Sequence, residues 1–296
     1  MSRCVAAEPR ILIDQKEPVM NRHVVVVIGA GGIGLAIARR QGTGRTVLLA
    51  DLNQELLAAS AATLLDAGHT VETQAVDLSS RESLRHLADR AAAIGDIVNV
   101  VIAAGVSPVQ APKERVIAVD LIGTAIALEE FGRVIAPAGA GIVIASMAGH
   151  MIPALTPEQN QALAHTPADA LADLELLSDE AVPNSGAAYA LAKRANSLRV
   201  QAAAVQWGER GARINTISPG IIITPLARDE MTGPNAEGYR RMIENSAAGR
   251  PGTTDEIATV AALLLGVDGA FITGSDLLID GGVVAGIRAG RLQVGL

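Results

Sequence analysis

The hydrophobic pattern opens on an unbroken β-branched run, Val24-Val25-Val26-Val27-Ile28. With no polar residue interrupting it, the run predicts a strand covered on both faces, as in a parallel sheet. It stops at Gly29, and an Ala/Leu/Ile/Arg pattern suited to a helix begins by Gly32. Strand-like and helix-like segments then alternate almost to the end of the chain. Further strands are predicted over residues 46–50, 70–76, 97–103, 141–145, 213–218 and 271–279. Helices are predicted over 53–66, 80–94, 187–207 and 255–265, with a long one from Pro112 to about Ala136. Repeated βα units of this kind predict an α/β fold, a doubly wound parallel sheet with helices on both faces. Ligands of such sheets bind beyond the carboxyl ends of the strands. Gly29, Asp51, Asp77, Ala104-Gly105, Ser146 and Pro219-Gly220 all fall there.

One stretch breaks the rhythm. Between Ser146 and Tyr189 no strand candidate occurs, so a helical insertion or lid over 147–186 is expected. Thr156-Pro157-Glu158-Gln159 has the form of a helix start, with an N-cap threonine, proline next and glutamine three residues on. Thr166-Pro167-Ala168-Asp169 repeats the device. Leu171, Leu174 and Leu177 then recur on one face, and Asp169, Asp173 and Glu175 lie mostly elsewhere. Two short helices with their leucines packed downward are expected. Residues 1–22 place Arg3, Glu8, Arg10, Asp14, Lys16 and Glu17 around Ile11-Leu12-Ile13 and lack the apolar middle of a signal peptide. They are expected to form a mobile extension, with Met20 as an alternative initiator. Residues 23–296 show no linker or repeat and are expected to be one domain.

Composition narrows the function classes. The chain is 49% hydrophobic but only 2% aromatic, so Ala, Val, Ile and Leu must fill its core. A net charge of −7 without any Lys/Arg cluster argues against nucleic acid or an anionic membrane as partner. The apolar run over 24–38 is too short and glycine-rich for a membrane span. Cys4 is the only cysteine, which excludes an internal disulfide and makes a reducing cytoplasm the expectation. His23, His69, His86, His150 and His165 have no metal-ligand spacing, so no metal is expected. His150 reads as a surface residue, Arg39-Arg40 as a solvated helix face, and Thr253-Thr254-Asp255-Glu256 as a capping box.

Gly29-x-Gly31-x-x-Gly34 spans the first strand-to-helix junction, with Gly32 and Ile33 inside it. Such glycines allow a tight turn, the approach of a pyrophosphate and close packing of helix on strand. The helix then directs free N–H groups and its positive end at the phosphates. Asp51, ending the second predicted strand, is placed to bind ribose hydroxyls and repel a 2′-phosphate, and neither Leu52 nor Asn53 is cationic. NAD(H) is therefore expected over NADP(H). Tyr189 and Lys193 stand at i and i+4 on one helical face. A free phenol titrates near pH ~10. Lys193 and an oxidised nicotinamide would lower that value enough for Tyr189 to act as acid and base. Ser146 is placed to hydrogen-bond the reacting oxygen.

With these residues assembled, the chain resembles the short-chain dehydrogenase/reductase family from residue 23 to about 285. The matching features are the glycine turn, Asp77-Leu78 for the adenine, and Ala103-Ala104-Gly105 in place of Asn-Ala-Gly. Ser146, Tyr189 and Lys193 match the catalytic Ser, Tyr and Lys. Pro219-Gly220-Ile221-Ile222-Ile223-Thr224 matches the turn for the nicotinamide amide, and Ile279-Asp280-Gly281-Gly282 matches the closing signature. More narrowly, the insertion and the Asp-Gly-Gly tail look like the 3α-hydroxysteroid dehydrogenase/carbonyl reductase branch. The resemblance implies a homotetramer or homodimer, with helices 112–136 and 187–207 pairing between subunits. Two departures stand out. Ile28 replaces the first glycine of the family's Gly-x-x-x-Gly-x-Gly, so the three-glycine spacing fits better. Asp120 replaces an asparagine that holds a helix kink and a proton path beside the lysine. An aspartate can make similar bonds to backbone, or it can stabilise the lysine's charge and change the pH profile.

The expected substrate is a neutral or hydrophobic secondary alcohol or its ketone. Ala104, Val106, Met147, Met151, Ile221 and Ile223 suggest an apolar cleft, with Leu155 and Leu163 as additions from the insertion. Residues 147–188 carry acids but no Lys or Arg before Lys193, a poor dock for anionic carriers. Residues 226–245 are expected to supply the other wall, with a flexible tip at Gly233-Pro234-Asn235. Asp120 also motivates a reading of a different class, an NAD-binding redox sensor without turnover. A sugar-nucleotide epimerase or dehydratase is disfavoured because no C-terminal substrate domain is present.

Overall fold

In the computed structural model, residues 22–224, 227, 231–232 and 236–292 are described. The expected extension over 1–22 lies outside them apart from Arg22, as does the tip at 233–235. Seven strands form one parallel sheet: β1 His23–Ile28, β2 Thr46–Asp51, β3 Thr70–Ala75, β4 Asp96–Ile102, β5 Ala140–Ile144, β6 Arg213–Pro219 and β7 Asp276–Ile279. Their spatial order is β3-β2-β1-β4-β5-β6-β7, so the winding reverses between β1 and β4 and leaves a crevice at their carboxyl ends. The β-branched run explains why β1 is central. Val24, Val26 and Ile28 enter the core on one face and Val25 and Val27 the core on the other, all fully buried.

Helices α1 Gly32–Gln41, α2 Gln54–Asp66 and α3 Arg81–Ile94 follow the first three strands. After β4 the chain runs through α4 Lys113–Val116, a π-helical segment Ile117–Gly123, and α5 Thr124–Val134. The expected long helix is thus present, but its middle turns are widened around Asp120. Beyond β5 come α6 Pro157–His165, α7 Ser185–Glu209, α8 Ala236–Glu244, α9 Thr254–Leu265 and the short α10 Val283–Arg288. Trp207, on α7, is buried and donates its indole N–H to the Leu128 carbonyl at 3.2 Å. A methyl on Gly141 would lie 2.7 Å from that ring, so β5 can pass beneath it only as glycine.

Two sequence expectations change. The last strand begins at Asp276 rather than near Phe271. Gly274 adopts φ +67, which breaks the extended run, and Phe271 stands fully exposed. Thr166-Pro167 does not start a second α-helix. Thr166 closes α6, and the chain continues in 3₁₀ turns, Ala168–Asp173 and Glu175–Leu177. The leucine spacing of three (171, 174, 177) is the 3₁₀ period rather than the α period.

The insertion is bolted to the body. Leu163, Ala168 and Leu171 are fully buried in the same core as α5 and α7. Arg199 of α7 donates to the carbonyls of Leu163 and Thr166 at 3.0 and 2.8 Å, and Ala168 N–H donates to Glu129 at 3.0 Å. Lys113 meets Asp179 at 2.6 Å. Along α7, residues 195–200 are buried all round. The insertion and α3 thus cover part of the two helices, 112–136 and 187–207, that are expected to pair between subunits.

Candidate active site

The turn after β1 has the geometry of a dinucleotide cradle. Gly29 adopts φ +106, and a Cβ there would sit 2.5 Å from the backbone nitrogen of Ala104 at the end of β4. A Cβ on Gly34 would lie on the Gly29 carbonyl oxygen, so α1 could not approach the turn. Gly31 instead faces open space. It caps α1 without any side-chain hydrogen bond, and the first helical turn carries no acid. The exposed N–H groups and the positive helix end therefore suit an anion. The backbone thus requires glycine at 29 and 34, whereas Gly31 has an ordinary extended conformation. A Cβ on Gly32 would lie 3.4 Å from Thr224, which brings the β6 turn over this helix start.

Asp51 ends β2 beside the cradle. Its two oxygens accept N–H bonds from Ala30 at 2.8 Å and Asn53 at 2.9 Å. A cleft of about 300 Å³ holds Asp51, Leu52, Asp77, Leu78, Ala104 and Gly105 together. Burial alone would raise the Asp77 carboxyl, but bonds from the Ser79 hydroxyl and amide, then Arg115, hold it below its ordinary value. Arg115 is the cation that sequence reasoning missed here. It lies 3.6 Å from Asp77 and donates to Ser79 at 3.0 Å. It arrives from α4, remote in sequence from Leu52-Asn53, and nothing local announces it.

Around the other end of the crevice, a cleft of about 1040 Å³ brings together Ser146, Tyr189 and Lys193. Ser146 follows β5, and its hydroxyl oxygen accepts the Ala148 N–H at 3.2 Å, which leaves its proton available to another oxygen. Lys193 Nζ lies 5.2 Å from the centre of the Tyr189 ring. It is also 2.8 Å from Asp120 Oδ1, and both side chains of that pair are buried. The second Asp120 oxygen accepts the Val106 N–H at 3.1 Å. Burial works against the Lys193 ammonium, but Asp120 and then Tyr189 outweigh it, so its pKa rises above the ordinary lysine value. Ile33, Ala103, Pro219, Gly220, Ile222 and Thr224 line the same cleft.

Residues 22–157 match the short chain dehydrogenase family model, and residues 170–284 match a model described as Enoyl-(Acyl carrier protein) reductase. A short-chain dehydrogenase/reductase of Alternaria brassicicola is 41% identical over 267 residues, covering 90% of this chain and 97% of its own. The chain belongs to the short-chain dehydrogenase/reductase family. D-threitol dehydrogenase of Mycolicibacterium smegmatis is 32% identical over 274 residues, covering 89% of this chain and 93% of that one. The solved short-chain dehydrogenase/reductase of Serratia marcescens shares the fold with a TM-score of 0.69 at 24% identity, covering 89% of this chain and 98% of its own.

In this short-chain dehydrogenase/reductase the walls of the larger cleft are mostly aliphatic. Met147, Met151, Leu155, Leu176 and Ile221 line it, as do Tyr239 and Met242 of α8. Leu155 is therefore placed as expected, whereas Leu163 is turned into the core. Of the expected second wall, Ala227, Tyr239 and Met242 are described at the cleft. Leu176 and Val182 mark where the insertion meets it. His150 is not the surface residue expected. Its Nε2 lies 2.9 Å from Asp276 Oδ2, and the other Asp276 oxygen accepts the Ser218 hydroxyl at 2.7 Å. That chain ties the turn after Ser146 to β7. Among the described residues no helix is long and apolar enough to cross a membrane, and no His/Cys/Asp/Glu cluster could hold a metal.

Proposed function

We propose that this short-chain dehydrogenase/reductase interconverts a neutral or hydrophobic secondary alcohol and its ketone, with NAD(H) as cofactor. The observation that carries the reading is the convergence of Ser146, Tyr189 and Lys193 in one largely aliphatic cleft that opens onto the glycine cradle. The residues fit the dinucleotide. Gly31 leaves space over the uncapped start of α1, Asp51 and Asp77-Leu78 share the smaller cleft, and Pro219-Gly220 and Thr224 border the larger one. NAD supplies a carbon that accepts or donates hydride. The chain's own groups do the rest. Ser146 orients the reacting oxygen with its free proton, and Tyr189 Oη takes or gives the proton on that oxygen. Lys193 sets the electrostatic field at Tyr189 and can bond the ribose, and the aliphatic walls exclude water.

Asp51 is the reason to favour NAD. Held by Ala30 and Asn53, its carboxylate can accept further bonds from ribose hydroxyls but would repel a 2′-phosphate. Arg115 is the opposing charge, and Asp77 already shares it. The test is turnover of a panel of alicyclic secondary alcohols with each cofactor. Tyr189→Phe should abolish oxidation while NAD still binds. Equal or better turnover with NADP would overturn the cofactor assignment, and full activity in Tyr189→Phe would overturn the mechanism. The Asp120–Lys193 pair also favours a second reading, an NAD-binding sensor without turnover. Oxidation of any alcohol in the panel, lost with Tyr189→Phe, decides against it.

A further inference from the structure

We propose that Asp120 is a positioning residue that cancels the charge of Lys193 beside Tyr189, so that the phenol keeps its proton at neutral pH. The site then works as a ketone reductase there and oxidises alcohols efficiently only in alkaline solution. This rests on the alcohol–ketone reading for its kinetic consequence, though not for the charge cancellation itself.

The placement around Asp120 is fitted to a carboxylate. One oxygen faces the Lys193 ammonium at 2.8 Å and the other accepts the Val106 N–H at 3.1 Å. Both neighbours are donors, so an amide in this position would turn its NH₂ against one of them. The carboxylate has no exposed surface and the ammonium has 6%, so solvent screens the pair very little. A Cβ on Gly105 would come within 2.5 Å of Asp120 Oδ1 and 3.3 Å of Lys193 Nζ. The backbone after β4 therefore closes directly on the pair.

Other charges nearby are engaged elsewhere. On α4, Lys113 meets Asp179, Arg115 meets Asp77, and Glu114 is exposed. On α5, Glu129 and Glu130 meet Arg81, and Arg199 of α7 lies near Glu129. His150, on the turn packed against α7, meets Asp276, and Arg194 of α7 is partly buried. The groups that act on Lys193 are Asp120 and Tyr189.

A lone cation within about 4–6 Å lowers an acid's pKa by roughly one to three units. Paired with Asp120, Lys193 presents Tyr189 with a dipole instead, and most of that lowering is lost. In the reductive direction the substrate carbon gains hydride from NADH and its oxygen gains the Tyr189 proton. The phenolate left behind regains a proton from water. A phenol that stays protonated serves this direction at neutral pH.

The chain has two tyrosines, Tyr189 and Tyr239. In a Tyr239→Phe background the ultraviolet absorbance of phenolate therefore reports Tyr189 alone, with or without NAD. The expected midpoint without NAD is close to that of free tyrosine, about pH 10. Asp120→Asn and Asp120→Ser should each move it down by about one unit or more. In otherwise native protein, the same changes should shift the acidic limb of kcat/KM for alcohol oxidation downward by a matching amount. A midpoint near neutrality with Asp120 present overturns the proposal, whether or not the variants fold. So does an unmoved midpoint in either variant that melts like its parent. If no alcohol or ketone is turned over, the enzyme reading fails, and the absorbance titration still decides the charge cancellation.

Discussion

Leu171→Ala tests whether the insertion is part of the fold or a flap laid on it. Leu171 is fully buried in a 3₁₀ turn that packs between the widened segment Ile117–Gly123 and α5. Truncating a buried leucine costs about 2–5 kcal/mol, the spread depending on how far the surroundings collapse. Here the neighbours belong to sheet-covering helices that cannot move inward, which favours a value of about 3 kcal/mol. For a domain of this size that lowers Tm by about 6–12 °C. The assay is thermal unfolding followed by circular dichroism, with KM for an accepted alcohol measured alongside. A flap independent of the core would leave Tm within about 1 °C of the parent and raise KM alone, and that outcome would refute the reasoning. Excising residues 156–179 is a poorer test. It would strip Arg199 of the two carbonyls that satisfy it and uncover α5 and α7, so folding and substrate binding would fail together.

Two neighbouring glycines should part company on the same kind of measurement. Gly34→Ala places a methyl on the Gly29 carbonyl and should lower both Tm and NAD affinity. Gly31→Ala has an ordinary extended backbone and empty space around it, so Tm without cofactor should hold while NAD affinity falls. Undiminished NAD affinity of Gly31→Ala in a calorimetric titration would remove the cradle assignment. Glu256 offers a pH prediction. Bonds from Arg250, then from the Thr253 backbone, lower its carboxyl from 4.5 to about 2. Its depressed value contributes stability that is present above about pH 4.5 and is lost as pH falls towards 2. Glu256→Gln should therefore flatten the acid side of a Tm-against-pH curve, and an unchanged acid slope would count against the ion pair and capping box acting on stability.

The sheet was legible because its signals are local. Five β-branched residues followed by Gly29 describe β1 and its turn without reference to anything distant, and Asp51, Asp77 and Ser146 mark strand ends by position alone. What escaped depends on partners remote in sequence. The arrival of Arg115 beside Asp77 and the engagement of His150 by Asp276 require the fold to be assembled first, and the closeness of Asp120 to Lys193 was legible only through the family resemblance. Phe271 misled because a strand pattern continued past a glycine that turns the backbone. The leucines of the insertion were seen, but a spacing of three fits either kind of helix until the carbonyl partners are known.

The tie between His150 and Asp276 also has a bearing on synthesis. The two residues are 126 positions apart, and the turn carrying Ser146 is braced from the final strand. A domain generally folds as a unit, and here the serine's turn can gain its brace only after β7 has left the exit tunnel. A nascent chain stalled before Asp276 would accordingly lack the support of the turn that carries the serine.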